Sequence, residues 1–464
     1  MPSRDQDEIA RAESHSTELR RELRLTDLVL LQVLLIVGLP WTGYAARLGG
    51  SHVVLWLLAI ALFYFPLAAA VTFLSRRLPL EGGVYQWVKI GISPAAGFLA
   101  GWNYAFFLIL VYAASGSVVA NSLSYLAGPN GAWIASSKPV ILACSLWFFA
   151  LVYWVNFRGL HLARWITSAG GALVIGLYSL IVGLLVWRLA TGVPAQPVLA
   201  PEWPVVSLIT INLFSKMAFN ALSGFEQVAI FAGESHTPER NIARSVSIAG
   251  PGIAVLYILG TCSLLAYTPR EHIDLIAPIP QLLGASTGSL SLASALSAAA
   301  IVALLFAYFT QAVACLAQVS RLPMVAGWDG LLPARYSELH PRFRTPVRSL
   351  TLAIAACVVL GAASLVQVGE QEANQILVGA GMACCGMYYL AMFAVIARGK
   401  WHAAWWLRLA VCAAAGVTVL AVALDVVPIL DVAKPVLFGL KVAGAIAAIN
   451  LGGWWVWTRH SQAA

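Results

Sequence analysis

Two short stretches combine glycine with polar or acidic side chains in the middle of long apolar runs. They read GLPWTG at 38–43 and NALSGFE at 220–226. Proline removes a backbone hydrogen bond and its ring clashes with the preceding turn, so a helix is hard to continue through the first stretch. A broken helix exposes N–H groups that suit a carboxylate and carbonyl groups that suit an ammonium ion. A pair of such breaks can therefore hold both charged groups of a zwitterion.

The candidate substrate contacts are the small, polar and aromatic residues of these two breaks. We predict that they are Gly38, Thr42, Gly43, Phe219, Asn220, Ser223, Gly224 and Phe225. The aromatic residues Trp41, Trp102 and Tyr308 are weaker candidates for a gate or pocket, because aromatics on membrane helices mostly pack or lie at the interface.

Glu226 follows the second break directly. A carboxylate near the middle of a bilayer costs about 3 kcal/mol on insertion scales, so such a residue is a functional candidate by default. Two hypotheses remain open from the sequence. Glu226 takes up a proton that accompanies the substrate, or it caps the unwound segment through backbone hydrogen bonds.

Further charged residues lie on either side of the second break. Lys216 is about 15 Å from Glu226 along a helix, too far for a salt bridge. We expect its side chain to extend outward to water, with attraction of a substrate carboxylate as the alternative. A second hypothesis concerns charges at the inner face, where ion pairs close an inner gate. The residues concerned are Glu234, Arg240, Arg244 and Arg321; for the arginines, a purely topological role is the alternative.

The composition indicates that a lipid bilayer surrounds the elements that position these residues. The chain has 464 residues, of which 60% are hydrophobic and 10% are charged, whereas soluble domains carry roughly 25% charged residues. Lipid cannot satisfy bare backbone groups, so the spans must be helices. We predict an all-α membrane protein with about twelve transmembrane helices. The apolar runs are 27–48, 53–75, 94–126, 138–156, 162–190, 205–233, 246–268, 290–320, 347–367, 373–397, 403–424 and 435–457.

Charge distribution predicts the orientation and excludes several functions. Most of the 28 lysines and arginines fall on one side if both termini are cytoplasmic, as the positive-inside rule requires. The basic residues lie in short connections, with no basic face for nucleic acid. The seven cysteines lack metal-ligand spacing, and no nucleotide or dinucleotide fingerprint occurs. We therefore expect no catalytic residues, no metal and no cofactor.

Four motifs in chain order resemble those of the amino acid–polyamine–organocation permeases. They are LEGGVYQWV at 80–88 with GFLAGW at 97–102, NFRGL at 156–160, SGFE at 223–226 with the connection through Ile242, and the connection 321–346. The resemblance implies a five-plus-five inverted-repeat core with broken helices 1 and 6, two additional C-terminal helices, and alternating access. One departure is the first break, where the family usually has Gly-x-Gly. Another is the absence of the helix-five lysine that some members have.

The resemblance also implies a division of the chain. We expect a cytoplasmic tail at 1–25, a first repeat at 26–190, a second repeat at 191–400, and two last helices with a short cytoplasmic tail at 401–464.

The favoured function is secondary active transport of an amino acid across the cell membrane, coupled to a proton or by exchange, with sodium also open. The alternative is a polyamine or other organic-cation permease of the same fold. Several positive charges would require several intramembrane acids, yet Glu226 is the one acid predicted near mid-span, since Asp425 and Asp431 lie near outer helix ends. A membrane enzyme or a channel is disfavoured, because no cluster of catalytic residues and no repeated filter occurs.

Overall fold

The computed structural model describes residues 3–16, 19–192, 202–273, 278–287, 290–365, 370–427 and 435–461. Within these ranges the chain forms helices and connections, without a β-strand, which confirms the predicted all-α class. Asp431 lies outside the described residues. The helices are α1 (Ser3–Ser16), α2 (Leu25–Ile36), α3 (Leu39–Ala46), α4 (His52–Ala59), α5 (Phe65–Arg77), α6 (Val84–Gly91), α7 (Pro94–Ala113), α8 (Ser115–Ala127), α9 (Ala132–Ser136), α10 (Lys138–Phe157), α11 (Leu160–Thr191), α12 (Leu208–Asn220), α13 (Pro238–Tyr267), α14 (Pro278–Ala285), α15 (Leu290–Trp328), α16 (Val347–Ser364), α17 (Glu370–Ala397), α18 (Trp405–Leu424) and α19 (Pro435–Ser461).

Ten helical segments in the described part of the chain are long and apolar enough to cross a membrane. Two of them combine consecutive helices: α4 continues into α5 through a π-helical turn, Ile60–Tyr64, and α7 is followed directly by α8. The predicted runs 27–48 and 205–233 are not single helices. Each is divided into shorter pieces, so the total of twelve crossings stays a prediction.

The helices of the structure differ most from the predicted boundaries where a helix extends into a charged connection. α13 begins at Pro238 rather than near residue 246, because proline fits the first turn of a helix, where its missing N–H is not needed. α15 continues to Trp328 although Pro323 lies inside it, so the connection to α16 is 329–346. The predicted N-terminal tail contains α1, and its His15 ring stacks on Trp328 at 5.0 Å.

Both described ends of the chain lie at the same end of the helix bundle. The backbone N–H of Leu23 donates to the carbonyl of Glu234 at 3.0 Å. Near the C-terminus, Trp457 packs on Phe98 in the first turns of α7, with ring centroids 5.9 Å apart. The ion pair between Lys89 and Asp329, at 2.8 Å, joins α6 to the connection that follows α15. We call this the Leu23 end of the bundle.

Candidate functional site

The first predicted helix break is present between α2 and α3. Val37 and Gly38 adopt extended backbone conformations there. Since the helix stops, its last carbonyls lack intrahelical partners. The Gln311 side chain of α15 donates its Nε2 to the carbonyls of Leu34 and Leu35, at 3.1 Å each. The break is therefore held open by polar groups from a neighbouring helix.

The second predicted break follows α12. Gly224 has a φ of +121°, which side-chain-bearing residues rarely adopt. Its N–H donates to the hydroxyl of Tyr389 in α17, at 2.8 Å. The chain then continues as a 3₁₀ segment, Phe225–Glu234, before α13 begins. Both interruptions anticipated from glycine and proline placement therefore exist.

One tyrosine joins the two breaks. The hydroxyl of Tyr257 in α13 accepts the N–H of Gly38 at 2.9 Å. The same hydroxyl lies within donating distance of the Ile36 carbonyl, at 2.7 Å, and of the Ala221 carbonyl, at 3.0 Å. Because a single oxygen reaches backbone groups of both segments, the two unwound regions lie side by side in the interior.

Glu226 is fully buried at the start of the 3₁₀ segment. Its Oε1 accepts a hydrogen bond from Tyr388 at 2.7 Å, and its Oε2 accepts one from Tyr389 at 2.6 Å. Both partners are neutral hydroxyls of α17. A hydroxyl can donate to a carboxylate or accept from a carboxylic acid, so this arrangement accommodates either protonation state of Glu226.

A cavity of about 220 Å³ opens beside the first break. Its described lining is mainly apolar, with Gly38 on one wall and the polar side chains of Ser122, Tyr308 and Gln311 among the others. Of the eight predicted substrate contacts, Gly38 lines this cavity, while the other seven are not among its described lining residues. Tyr308, the weaker aromatic candidate, does line it.

The remaining predicted contacts lie within packed structure around the breaks. Phe225 packs edge-on against Tyr64 at 4.9 Å, and Phe219 packs edge-on against Tyr389 at 5.7 Å. Asn220 differs from them, because its buried Oδ1 accepts no hydrogen bond from the described residues. The others, which are Thr42, Gly43, Ser223 and Gly224, are buried.

Sequence reasoning missed the side chains that hold the breaks. They come from three other helices: Tyr257 in α13, Gln311 in α15, and Tyr388 and Tyr389 in α17. The available signal was a polar or hydroxyl group within an apolar run. That signal alone does not separate these tyrosines from ordinary packing residues.

A cluster of three ionisable residues lies at the Leu23 end. Arg321 of α15 donates Nε and an Nη to the two carboxylate oxygens of Glu234, both at 2.7 Å. Glu81, in the connection between α5 and α6, places Oε1 3.6 Å from Nε of Arg321 and accepts the N–H of Gly233 at 2.7 Å. The arginine also lies over the Phe231 ring at 4.7 Å. An ion pair between Glu234 and Arg321 is therefore present, and Glu81 joins it.

Two acids share one arginine in this cluster, and all three side chains are at most 5% exposed. Burial raises the pKa of the Glu81 carboxyl well above its usual range. The neighbouring Glu234 carboxylate raises it further, while Arg321 and the Gly233 N–H lower it. Arg321 therefore pairs most closely with Glu234, and burial disfavours ionisation of Glu81.

Lys216 does not extend to water as expected. Lys216 is 4% exposed, and its Nζ donates to the carbonyl of Val427 at 3.2 Å. The carbonyl belongs to the turn after α18 and supplies the partner that a buried ammonium group needs.

Comparison with known proteins matches this chain to permeases and transporters. A family model described as "Amino acid permease" matches residues 23–443. The methylthioribose transporter of Bacillus subtilis (strain 168) is 26% identical over 379 residues, which is 78% of each chain. The branched-chain amino acid permease BcaP of Lactococcus lactis subsp. cremoris (strain MG1363) is 26% identical over 326 residues, covering 68% of this chain and 69% of that relative.

A solved structure shares the fold. The crystal structure of MhsT in complex with L-phenylalanine matches with a TM-score of 0.57 at 14% identity, covering 88% of this chain and 98% of that one.

Proposed function

This chain belongs to the amino acid permease family, and from that premise we propose that it is a secondary active transporter that moves an amino acid by alternating access. It is a multi-pass membrane protein. The observation that carries the proposal is the Tyr257 hydroxyl, which joins the unwound backbone of both broken segments. Irregular backbone at membrane depth is tolerated where it is buried in protein or lines a cavity, and such breaks are where transporters hold substrate.

The proposed substrate contacts are the eight residues of the two breaks named from the sequence. The unpartnered Oδ1 of Asn220 supports a place for an ammonium group near the second break. The cavity beside Gly38 supports a path along the first break.

The proposed coupling group is Glu226, which takes up a proton that travels with the substrate. Its two tyrosine partners support a change of protonation without loss of hydrogen bonds. Exchange of one substrate for another, with Glu226 capping the second break, is the alternative within this proposal.

The proposed inner gate is the cluster of Glu81, Glu234 and Arg321. The segment around Leu23 pairs with the backbone of Glu234, so the cluster ties together the N-terminal segment, the 3₁₀ segment and α15. We place both termini and this cluster on the cytoplasmic side, following the arginine distribution. The five-plus-five repeat at 26–190 and 191–400 is part of the same proposal, as is the absence of catalytic activity.

Uptake by purified protein in liposomes tests the function. Labelled leucine, arginine and putrescine are offered under imposed pH or sodium gradients, and unlabelled compounds compete. We expect saturable leucine uptake that a pH gradient or internal amino acid drives. Preferential putrescine uptake would instead support the organic-cation alternative, for which buried Glu226 is the favouring observation. Absence of uptake of all three would contradict both.

A further inference from the structure

A second cavity, whose described lining includes no residue of the two helix breaks, opens among α7, α15, α16 and α19. Its volume is about 330 Å³, which lies within the range of about 300–1,000 Å³ typical of small-molecule sites. The described lining is almost entirely apolar. It includes Trp102, Phe106, Leu322, Pro323, Ala353 and Ala356. A cavity of this chemistry accepts a hydrocarbon chain and offers almost no partner for a polar solute.

The cavity lies toward the Leu23 end. α7 and α16 start at that end, and α15 terminates there, at Trp328. Two other lining residues, Tyr336 and Ser349, mark where the hydrocarbon lining meets the connection 329–346. The Ser349 hydroxyl donates to the Tyr336 carbonyl at 3.2 Å, so this rim has a defined structure.

The rim carries positive charge. The guanidinium group of Arg335 lies over the ring of Tyr336, 5.2 Å from its centroid. Arg348 precedes Ser349 and pairs with Glu338 at 2.9 Å, with both side chains more than half exposed. An exposed pair of this kind contributes little, so Arg348 can exchange its carboxylate partner for another anion at small cost. An apolar cavity and a cationic rim thus lie next to each other.

We propose that this cavity binds an anionic phospholipid, with one acyl chain among α7, α15 and α16 and the phosphate at Arg335 and Arg348. The amphiphile matches both parts of the site: hydrocarbon fills the apolar volume, and a negative headgroup meets basic side chains near the membrane surface. The lipid comes from the leaflet at the Leu23 end. Trp102, a weak candidate for the transport pocket, is a contact of this lipid instead.

Photolabelling of the full-length protein in phosphatidylcholine vesicles tests the site. The probes are phosphatidylglycerol and phosphatidylcholine that carry the same diazirine-bearing acyl chain. We expect the phosphatidylglycerol probe to label peptides of α7 and α16, and unlabelled phosphatidylglycerol to compete better than phosphatidylcholine. Equal labelling and equal competition by both lipids would overturn the proposal of an anionic lipid.

Matched variants separate the cavity from the general lipid surface. Ala356→Phe fills the cavity, whereas Ala355→Phe places the same ring on an exposed position of the same helix. We expect the first variant to lose labelling several-fold and the second to keep it; equal yields would refute a cavity site.

The rim has its own pair of variants. Arg335→Gln removes the charge beside the lining residue Tyr336, and Arg342→Gln removes one that lies over Phe343 in the same connection. Since one basic residue near a membrane surface favours anionic lipid about fivefold, Arg335→Gln alone should lower the preference for phosphatidylglycerol by that factor. Both residues are exposed, so folding does not confound the result. An unchanged preference in Arg335→Gln would refute the headgroup assignment.

Discussion

Glu226 and Glu234 are buried acids of the same 3₁₀ segment, yet their surroundings differ in kind. Glu226 accepts hydrogen bonds from two neutral tyrosines, while Glu234 receives two from one guanidinium group. A buried cation stabilises the ionised form of its partner, whereas hydroxyls serve both forms of an acid. The two ends of the segment therefore differ in their partners, which are neutral hydroxyls at Glu226 and a guanidinium group at Glu234. This difference suits a coupling group and a gate, respectively.

Loss of the ion pair at the Glu234 end of the segment should have the largest effect. Arg321→Gln leaves Glu81 and Glu234 together in a buried site without their cation, and breaking such a pair costs about 3–5 kcal/mol. We expect a clear fall in the melting temperature of the detergent-solubilised protein and loss of uptake. Arg270→Gln is the control, because its ion pair with Glu271 is exposed. A similar small shift in both variants would mean that the cluster does not hold the Leu23 end closed.

The two helix breaks depend on neutral hydrogen-bond partners, and a variant of Tyr257 gives the strongest test of this dependence. Tyr257→Phe removes the acceptor of the Gly38 N–H and the hydroxyl near two backbone carbonyls. Unsatisfied buried groups cost about 1–3 kcal/mol, and we expect uptake to fall with stability. Tyr267→Phe in the same helix is the control, because that hydroxyl donates to one carbonyl, of Leu184. If both variants lost equally little stability and uptake, Tyr257 would be a packing residue.

Sequence alone predicted much of the fold and of the broken segments, for identifiable reasons. Long apolar runs require helices, and Pro40 with its neighbouring glycines disfavours a continuous one. The family resemblance, carried by motifs such as LEGGVYQWV at 80–88, is confirmed by the family match over residues 23–443. These signals are local, because each depends on neighbours in the chain.

The partners of the breaks could not be predicted, because they are not local. Tyr389 meets Gly224 and Glu226 from far along the chain, and one tyrosine in an apolar run resembles any other. The prediction for the Lys216 side chain was wrong for a related reason. Its acceptor, the carbonyl of Val427, belongs to a distant turn, whereas its position on α12 suggested an outward side chain.

Glu226→Gln tests the proposed coupling role at the other end of the segment. The amide oxygen accepts one tyrosine hydroxyl and the amide nitrogen donates to the other, so the hydrogen bonds persist and stability should change by no more than about 1 kcal/mol. Uptake driven by an imposed pH gradient should nevertheless be lost, while exchange against internal substrate persists. Tyr388→Phe is a useful comparison, since it keeps the acid and removes one partner. Full pH-driven uptake in Glu226→Gln would disprove the coupling role.

The smallest expected effect distinguishes the two acids within the gate. Glu81 shares Arg321 with Glu234, and burial raises its pKa above the usual value of 4.5. An acid with a raised pKa in the folded state weakens the fold as pH rises through its unfolded and then its folded pKa. Glu81→Gln removes this penalty and can still accept the Gly233 N–H, so it should raise the melting temperature modestly at neutral pH.

The pH dependence of that gain identifies its cause. The melting temperatures of wild type and Glu81→Gln should converge below pH 4.5, where Glu81 is protonated in both the folded and unfolded states, and diverge as pH rises. Glu234→Gln should destabilise the protein at neutral pH, because it removes an ion-pair partner and leaves the buried arginine with Glu81 alone. If Glu81→Gln destabilised the protein as much as Glu234→Gln does at neutral pH, both acids would be charged partners of Arg321, and the gate would hold no neutral member.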